Sequence, residues 1–129
     1  MNLTRFLMSA SAVVLGAVGV FLLFVPDVAL MVAGVAALPA TMVIAQLIGV
    51  LYLGFAVLNW MSRGNTIGGI YARPLAVANV MHFASGAAVL VKALSRGATP
   101  AAFWILAAVY VVFALAFATL LWRDPVPRR

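Results

Sequence analysis

The sequence predicts an all-α fold: an integral membrane bundle of four helices, with a short interfacial helix between the first and the second. Three observations predict it. First, 67% of the 129 residues are hydrophobic and only 8% are charged, whereas a water-soluble domain is about half apolar and about a quarter charged. A small domain leaves a large share of its surface exposed, so this much apolar side chain needs lipid as its solvent. Second, the chain falls into four stretches almost free of charge, each near the ~20 residues that a helical crossing requires. Third, the basic residues fall unequally on the two sides that four crossings define. The length allows one domain, 1–129, and no separate soluble module.

The elements follow in order. Helix 1 is expected over about 4–24. Pro26 has no N–H to donate and disfavours helix at Val25, so helix 1 stops there. The apolar segment 28–38 is too short to span and reads as an interfacial helix. Helix 2 is expected over 40–62, beyond Pro39. Gly64-Asn65-Thr66 and Gly68-Gly69 make a turn, and helix 3 follows over 70–94. Thr99 suits an N-cap with Pro100 at the first helical position, which opens helix 4 over 100–122. Pro125 and Pro127 end that helix in an extended basic tail. A secretory signal peptide is the rival reading of residues 1–24. Against it, the apolar run exceeds the usual ~7–15 residues and no small-x-small cleavage site follows.

Four crossings place Arg5, Arg63, Arg73, Arg123, Arg128 and Arg129 on one side, and Lys92 and Arg96 on the other. The basic excess marks the cytoplasmic face, so both termini lie inside. Trp60 and Trp122 then mark the inner interface and Trp104 the outer one, the aromatic belt expected of such a chain. A weak internal repeat relates Tyr52-Leu-Gly-Phe55-Ala56 to Tyr110-Val-Val-Phe113-Ala114, with Ala10-Ser11 and Ala84-Ser85 as a fainter echo. Two helical hairpins of like orientation would result.

Several function classes are excluded. The sequence holds no cysteine, so disulfides, thiol nucleophiles and thiolate metal sites are absent. The net charge of +6 sits at the ends of apolar runs, which points to anionic lipid headgroups as partners and away from nucleic acid. No P-loop, nucleophile elbow or zinc motif occurs. A lone histidine with no HxxxH or ExxH spacing makes a poor metal site, and no metal or cofactor is expected.

The informative residues are polar ones within the spans, which are costly in hydrocarbon and so face the bundle interior. Counting along the helices puts Tyr52, His82 and Tyr110 at one depth, near the bilayer midplane. Asn79 lies one turn from His82 on a similar face. Tyr52, Asn79, His82 and Tyr110 are therefore candidates for a midplane pocket, in which an imidazole holds a polar ligand or relays a proton. The competing reading makes His82 and Asn79 simple hydrogen-bonding glue between helices, the commoner role of such residues in membrane spans. A second set, Asn59, Trp60, Arg63 and Arg73, gathers at the cytoplasmic end, where the arginines suit a phosphate or carboxylate headgroup. There the competing reading is that Arg63 and Arg73 only fix topology. Ala12-x-x-x-Gly16 and Gly49 mark places where helices approach closely.

The run Gly49-Val-Leu-Tyr52-Leu-Gly54 through Asn59-Trp60, then Gly68-Gly69-Ile-Tyr71-Ala-Arg73-Pro74 and Asn79, resembles small four-helix bacterial membrane proteins of the DoxX-like type. Phe24-Val25-Pro26 followed by a short apolar segment resembles them too. The resemblance implies the fold and a bacterial inner-membrane location, and carries over no catalytic residue. The leading expectation is a non-enzymatic accessory protein that binds a lipophilic small molecule and associates with itself as a homodimer or larger homo-oligomer. The alternative is a small oligomeric transporter or proton-coupled permease that uses His82. An intramembrane enzyme is disfavoured, because acid–base catalysis usually needs a second group beside the histidine and no Asp or Glu lies in a span.

Overall fold

The computed structural model describes residues 3–64, 72–97 and 100–123. These residues form α1 (Leu3–Phe24), α2 (Pro26–Val32), α3 (Pro39–Ser62), α4 (Ala72–Ser95) and α5 (Ala101–Arg123). Among them α1, α3, α4 and α5 are each long and apolar enough to cross a membrane. Their bounds lie within two residues of those expected from the charge-free runs. The Gly-rich turn after Gly64 and the expected cap at Thr99 fall outside the described residues.

The segment between the first two long helices departs from expectation. It is helical only over Pro26–Val32, two residues earlier than the expected start and six short of the expected end. Pro26 both closes α1 and opens α2. Its fixed φ and missing N–H are well suited to the first position of a new helix, and Val25 N–H makes the last turn of α1 with Phe21 O (3.1 Å). Gly34 ends α2. At φ 70° it adopts the left-handed conformation that costs glycine no Cβ clash. Gly34 N–H then reaches Met31 O (3.0 Å) and Val35 N–H reaches Leu30 O (2.8 Å), the paired bonds of a Schellman stop. The chain turns into α3 at Pro39, where Thr41 Oγ1 accepts from Leu38 N–H (2.9 Å) and donates to Ala36 O (2.7 Å). Gln46 serves the other side of this junction: its side-chain amide donates through Nε2 to Leu23 O (3.2 Å), a carbonyl in the last turn of α1.

The helices pair as two hairpins. α1 packs chiefly on α3, and α4 chiefly on α5, while the hairpins meet along α1/α5 and α3/α4. Without a hydrophobic driving force between helices, association in lipid relies on close packing and on hydrogen bonds. The α1–α3 crossing shows the first. A Cβ on Gly49 would lie 2.8 Å from Gly19 O and 2.9 Å from Leu23 N, and one on Gly19 would lie 2.9 Å from Gly49 O. The two backbones touch there, which only glycine on both sides permits. Elsewhere large side chains fill the core. Within the α4–α5 hairpin Phe83 stacks on Phe113 (centroids 4.8 Å) and on Phe117 (5.8 Å), and Leu7, Met8 and Leu15 of α1 join the same buried cluster from the other hairpin. Outward-facing positions such as Val13, Leu47, Leu51, Val112 and Leu115 are apolar and exposed, the reverse of a water-soluble surface.

Candidate functional site

The two hairpins bring Tyr52, His82 and Tyr110 together. Tyr52 on α3 and Tyr110 on α5 face each other across the bundle, and their hydroxyls are hydrogen-bonded. His82 on α4 joins the same chain, with Nε2 3.1 Å from the Tyr110 hydroxyl. Each tyrosine opens a Tyr-x-x-Phe-Ala string, Tyr52–Ala56 on α3 and Tyr110–Ala114 on α5. Phe55 stacks on the imidazole (5.1 Å, interplanar 25°), and Tyr52 and Phe83 present edges to it. Aromatic rings thus fix the orientation of the one imidazole.

Gly86 lets this chain close. A Cβ there would overlap the Tyr110 ring. The phenol of Tyr110 therefore lies directly against the α4 backbone, one turn beyond His82. A groove of about 430 Å³ opens above the three polar side chains, with Ser85, Gly86, Val89, Leu90 and Leu106 completing its walls. It has a polar floor and apolar sides, and among the described residues no charged side chain lines it. Its size falls within the ~300–1,000 Å³ of small-molecule sites.

Asn79 does not belong to this group. It lies fully buried (0% exposed) with Asn59 and Ser11, likewise 0% exposed. The two amides bond reciprocally, Asn59 Nδ2 to Asn79 Oδ1 and Asn79 Nδ2 to Asn59 Oδ1, each at 2.8 Å. Asn59 Nδ2 also donates to Ser11 Oγ (3.0 Å), Ser11 Oγ to Met8 O (3.0 Å), and Asn79 Nδ2 to Leu75 O (2.9 Å). Three helices are tied by one closed network, and among the described residues no buried side-chain nitrogen or oxygen lacks a partner. A three-residue step leaves Asn79 and His82 about 60° apart on the helix. That angle is enough to aim Asn79 at α1 and α3 while His82 faces Tyr110.

Asn59 accordingly sits inside the bundle and apart from Trp60, Arg63 and Arg73. Trp60 and Arg63 do meet: the guanidinium carbon lies 3.9 Å from the Trp60 ring centroid, and Nη1 donates to Trp60 O (2.7 Å). Arg73 lies at the start of α4 with its side chain exposed. Among the described residues, no three His, Cys, Asp or Glu side chains gather where they could hold a metal ion.

Comparison with family models, with curated proteins and with solved structures finds no match.

Ser11 and Gly19 were missed by the sequence reading. Ser11 carried a usable signal: it lies six positions from Arg5, just as Asn59 lies four from Arg63 and Asn79 six from Arg73. Similar depth from one basic end, within two residues or about 3 Å of helical rise, marks the three as potential partners. Gly19 carried no such signal, because its role depends on where α3 crosses α1.

Proposed function

We propose that this protein is a multi-pass membrane bundle that holds a lipophilic small molecule with an uncharged polar head in the groove over Tyr52, His82 and Tyr110. The observation that carries the reading is the composition of that groove. Its floor offers hydroxyl and imidazole hydrogen-bonding atoms, its walls are aliphatic, and among the described residues no charge lines it. A neutral head meets the floor, and an apolar body replaces lipid against Val89, Leu90 and Leu106. The role is that of an accessory or binding protein in a bacterial inner membrane, and it needs no catalytic carboxylate.

Reception is favoured over passage. Toward the arginine-bearing end, the space beneath the groove is filled by the stacked Phe83, Phe113 and Phe117 and by the closed Ser11–Asn59–Asn79 network. A permease would need a wet path through that layer, and its polar atoms are already paired with one another.

Native mass spectrometry of the protein extracted with its membrane lipids tests the reading. The wild-type chain is expected to retain a non-phospholipid lipophilic mass. Tyr110→Phe keeps the ring against Gly86 but removes the hydroxyl that links the other two groups. With the floor no longer held in place, loss of a single hydrogen bond to the ligand's head, worth about 1 kcal/mol, should lower retention roughly fivefold, and His82→Ala should act in the same direction. Retention unchanged in both variants overturns the assignment. The same spectra report whether the chain is a monomer or a homo-oligomer.

The proposed topology places both termini in the cytoplasm. Because the sequence has no cysteine, single cysteines give a clean test. Ser95→Cys, at the end of α4 bearing Lys92, should react with a membrane-impermeant maleimide in intact cells. Gly64→Cys should react only after permeabilisation. The opposite pattern inverts the orientation.

A further inference from the structure

A second site lies on the outer surface of the α1–α3 pair. Ala12 and Ala56 are small and buried, and they floor a groove of about 240 Å³ whose walls are Val13, Leu53 and Val57 and whose end is Trp60. Arg63 lies over Trp60 and is held there by its bond to the Trp60 carbonyl. A guanidinium carries about five N–H donors in a planar fork that matches phosphate oxygens, and one of them serves that carbonyl. Arg5 stands on α1 at the same end of the bundle. It lies seven positions before Ala12, about two turns, and so on the same face. Neither α1 nor α3 carries a carboxylate to compete for either arginine. Apolar groove, aromatic ring and guanidinium thus follow one another along a single line.

We propose that this line binds one anionic phospholipid, with its phosphate on Arg63, its glycerol region beside Trp60 and one acyl chain along Ala12 and Ala56. The inference shares the membrane reading above but not the Tyr–His groove, which lies between α3, α4 and α5. A second copy of this chain is a poorer occupant, because the groove holds only about 240 Å³ and the same Arg63 and Arg5 of a second copy would repel the cationic end.

Native mass spectrometry of the full chain, taken from micelles holding equimolar phosphatidylglycerol and phosphatidylcholine, decides the matter. One phosphatidylglycerol per chain should be retained, in preference to phosphatidylcholine. An arginine at a membrane surface is worth roughly a fivefold change in anionic-lipid binding, so Arg63→Gln should reduce the preference by about that factor. Lys92→Gln, at the other end of the bundle, should leave it unchanged. Val57→Trp fills the groove from its exposed wall and should remove the retained lipid while circular dichroism stays helical; Val13→Trp repeats the test from the facing wall. The proposal is overturned if the two lipids are retained alike, if Lys92→Gln acts as strongly as Arg63→Gln, if the lipid survives both tryptophan variants, or if a lipid-free dimer takes its place. His82→Ala should not disturb the phosphatidylglycerol, which separates failure of this site from failure of the Tyr–His groove.

Discussion

Gly49→Leu is expected to abolish the folded bundle. The first added atom would meet Gly19 O at 2.8 Å and Leu23 N at 2.9 Å. These are backbone atoms, which no change of rotamer can move aside. Overpacked cores whose side chains can shift lose about 1–3 kcal/mol. Here the two helices must separate, so the cost should reach or exceed about 3 kcal/mol. Thermal unfolding in detergent, followed by helical circular dichroism and size-exclusion profile, measures it. Gly54→Ala is the control, since a Cβ there meets nothing within 4 Å and alanine is the better helix former. Similar melting of the two variants would show that the α1–α3 crossing is not the tight contact described.

The second large effect concerns the amide pair. Asn79→Leu removes both Asn79 bonds to Asn59 and leaves the Asn59 carbonyl buried without a partner. A single interhelical hydrogen bond in a membrane protein is worth only about 0.6 kcal/mol on average, but an orphaned buried polar group costs about 1–3 kcal/mol. A loss near 2 kcal/mol is therefore expected, dominated by the group left behind. The double variant Asn59→Leu with Asn79→Leu should recover much of that loss, because nothing polar then remains unpaired between α3 and α4. If the double variant loses the full sum of the single losses, the pair contributes through shape and not through its reciprocal bonds. Neither variant touches the groove lining, so retention of the small molecule should follow the folded fraction alone.

The long helices were legible because hydrocarbon tolerates few charges. Arg5, Arg63, Arg73, Lys92 and Arg96 bracket the apolar runs, and the helix ends fall beside them. Tyr52, His82 and Tyr110 could be grouped by counting depth, since helical rise is constant and each lies near the middle of its span. Depth alone does not say which way a side chain faces. That is why depth alone groups Asn79 with His82 and puts Asn59 at the rim, when the two face each other. Pro26 was legible as a stop and not as a start, because the same missing N–H serves both ends of a break. The groove was not legible, since it arises from the spacing between hairpins and from Gly86 admitting the Tyr110 ring. No local pattern in α4 announces that partner.

The closed network between Ser11, Asn59 and Asn79 has a consequence for biogenesis. A ribosome delivers α1 and α3 before α4, and those two helices can pair at once through Gly19 and Gly49. At that stage Ser11 and Asn59 have each other but not Asn79, so the Asn59 carbonyl stands in the membrane without its mate. Only arrival of the second hairpin completes the set. The half-made protein therefore carries an unpaired polar group that the finished one conceals.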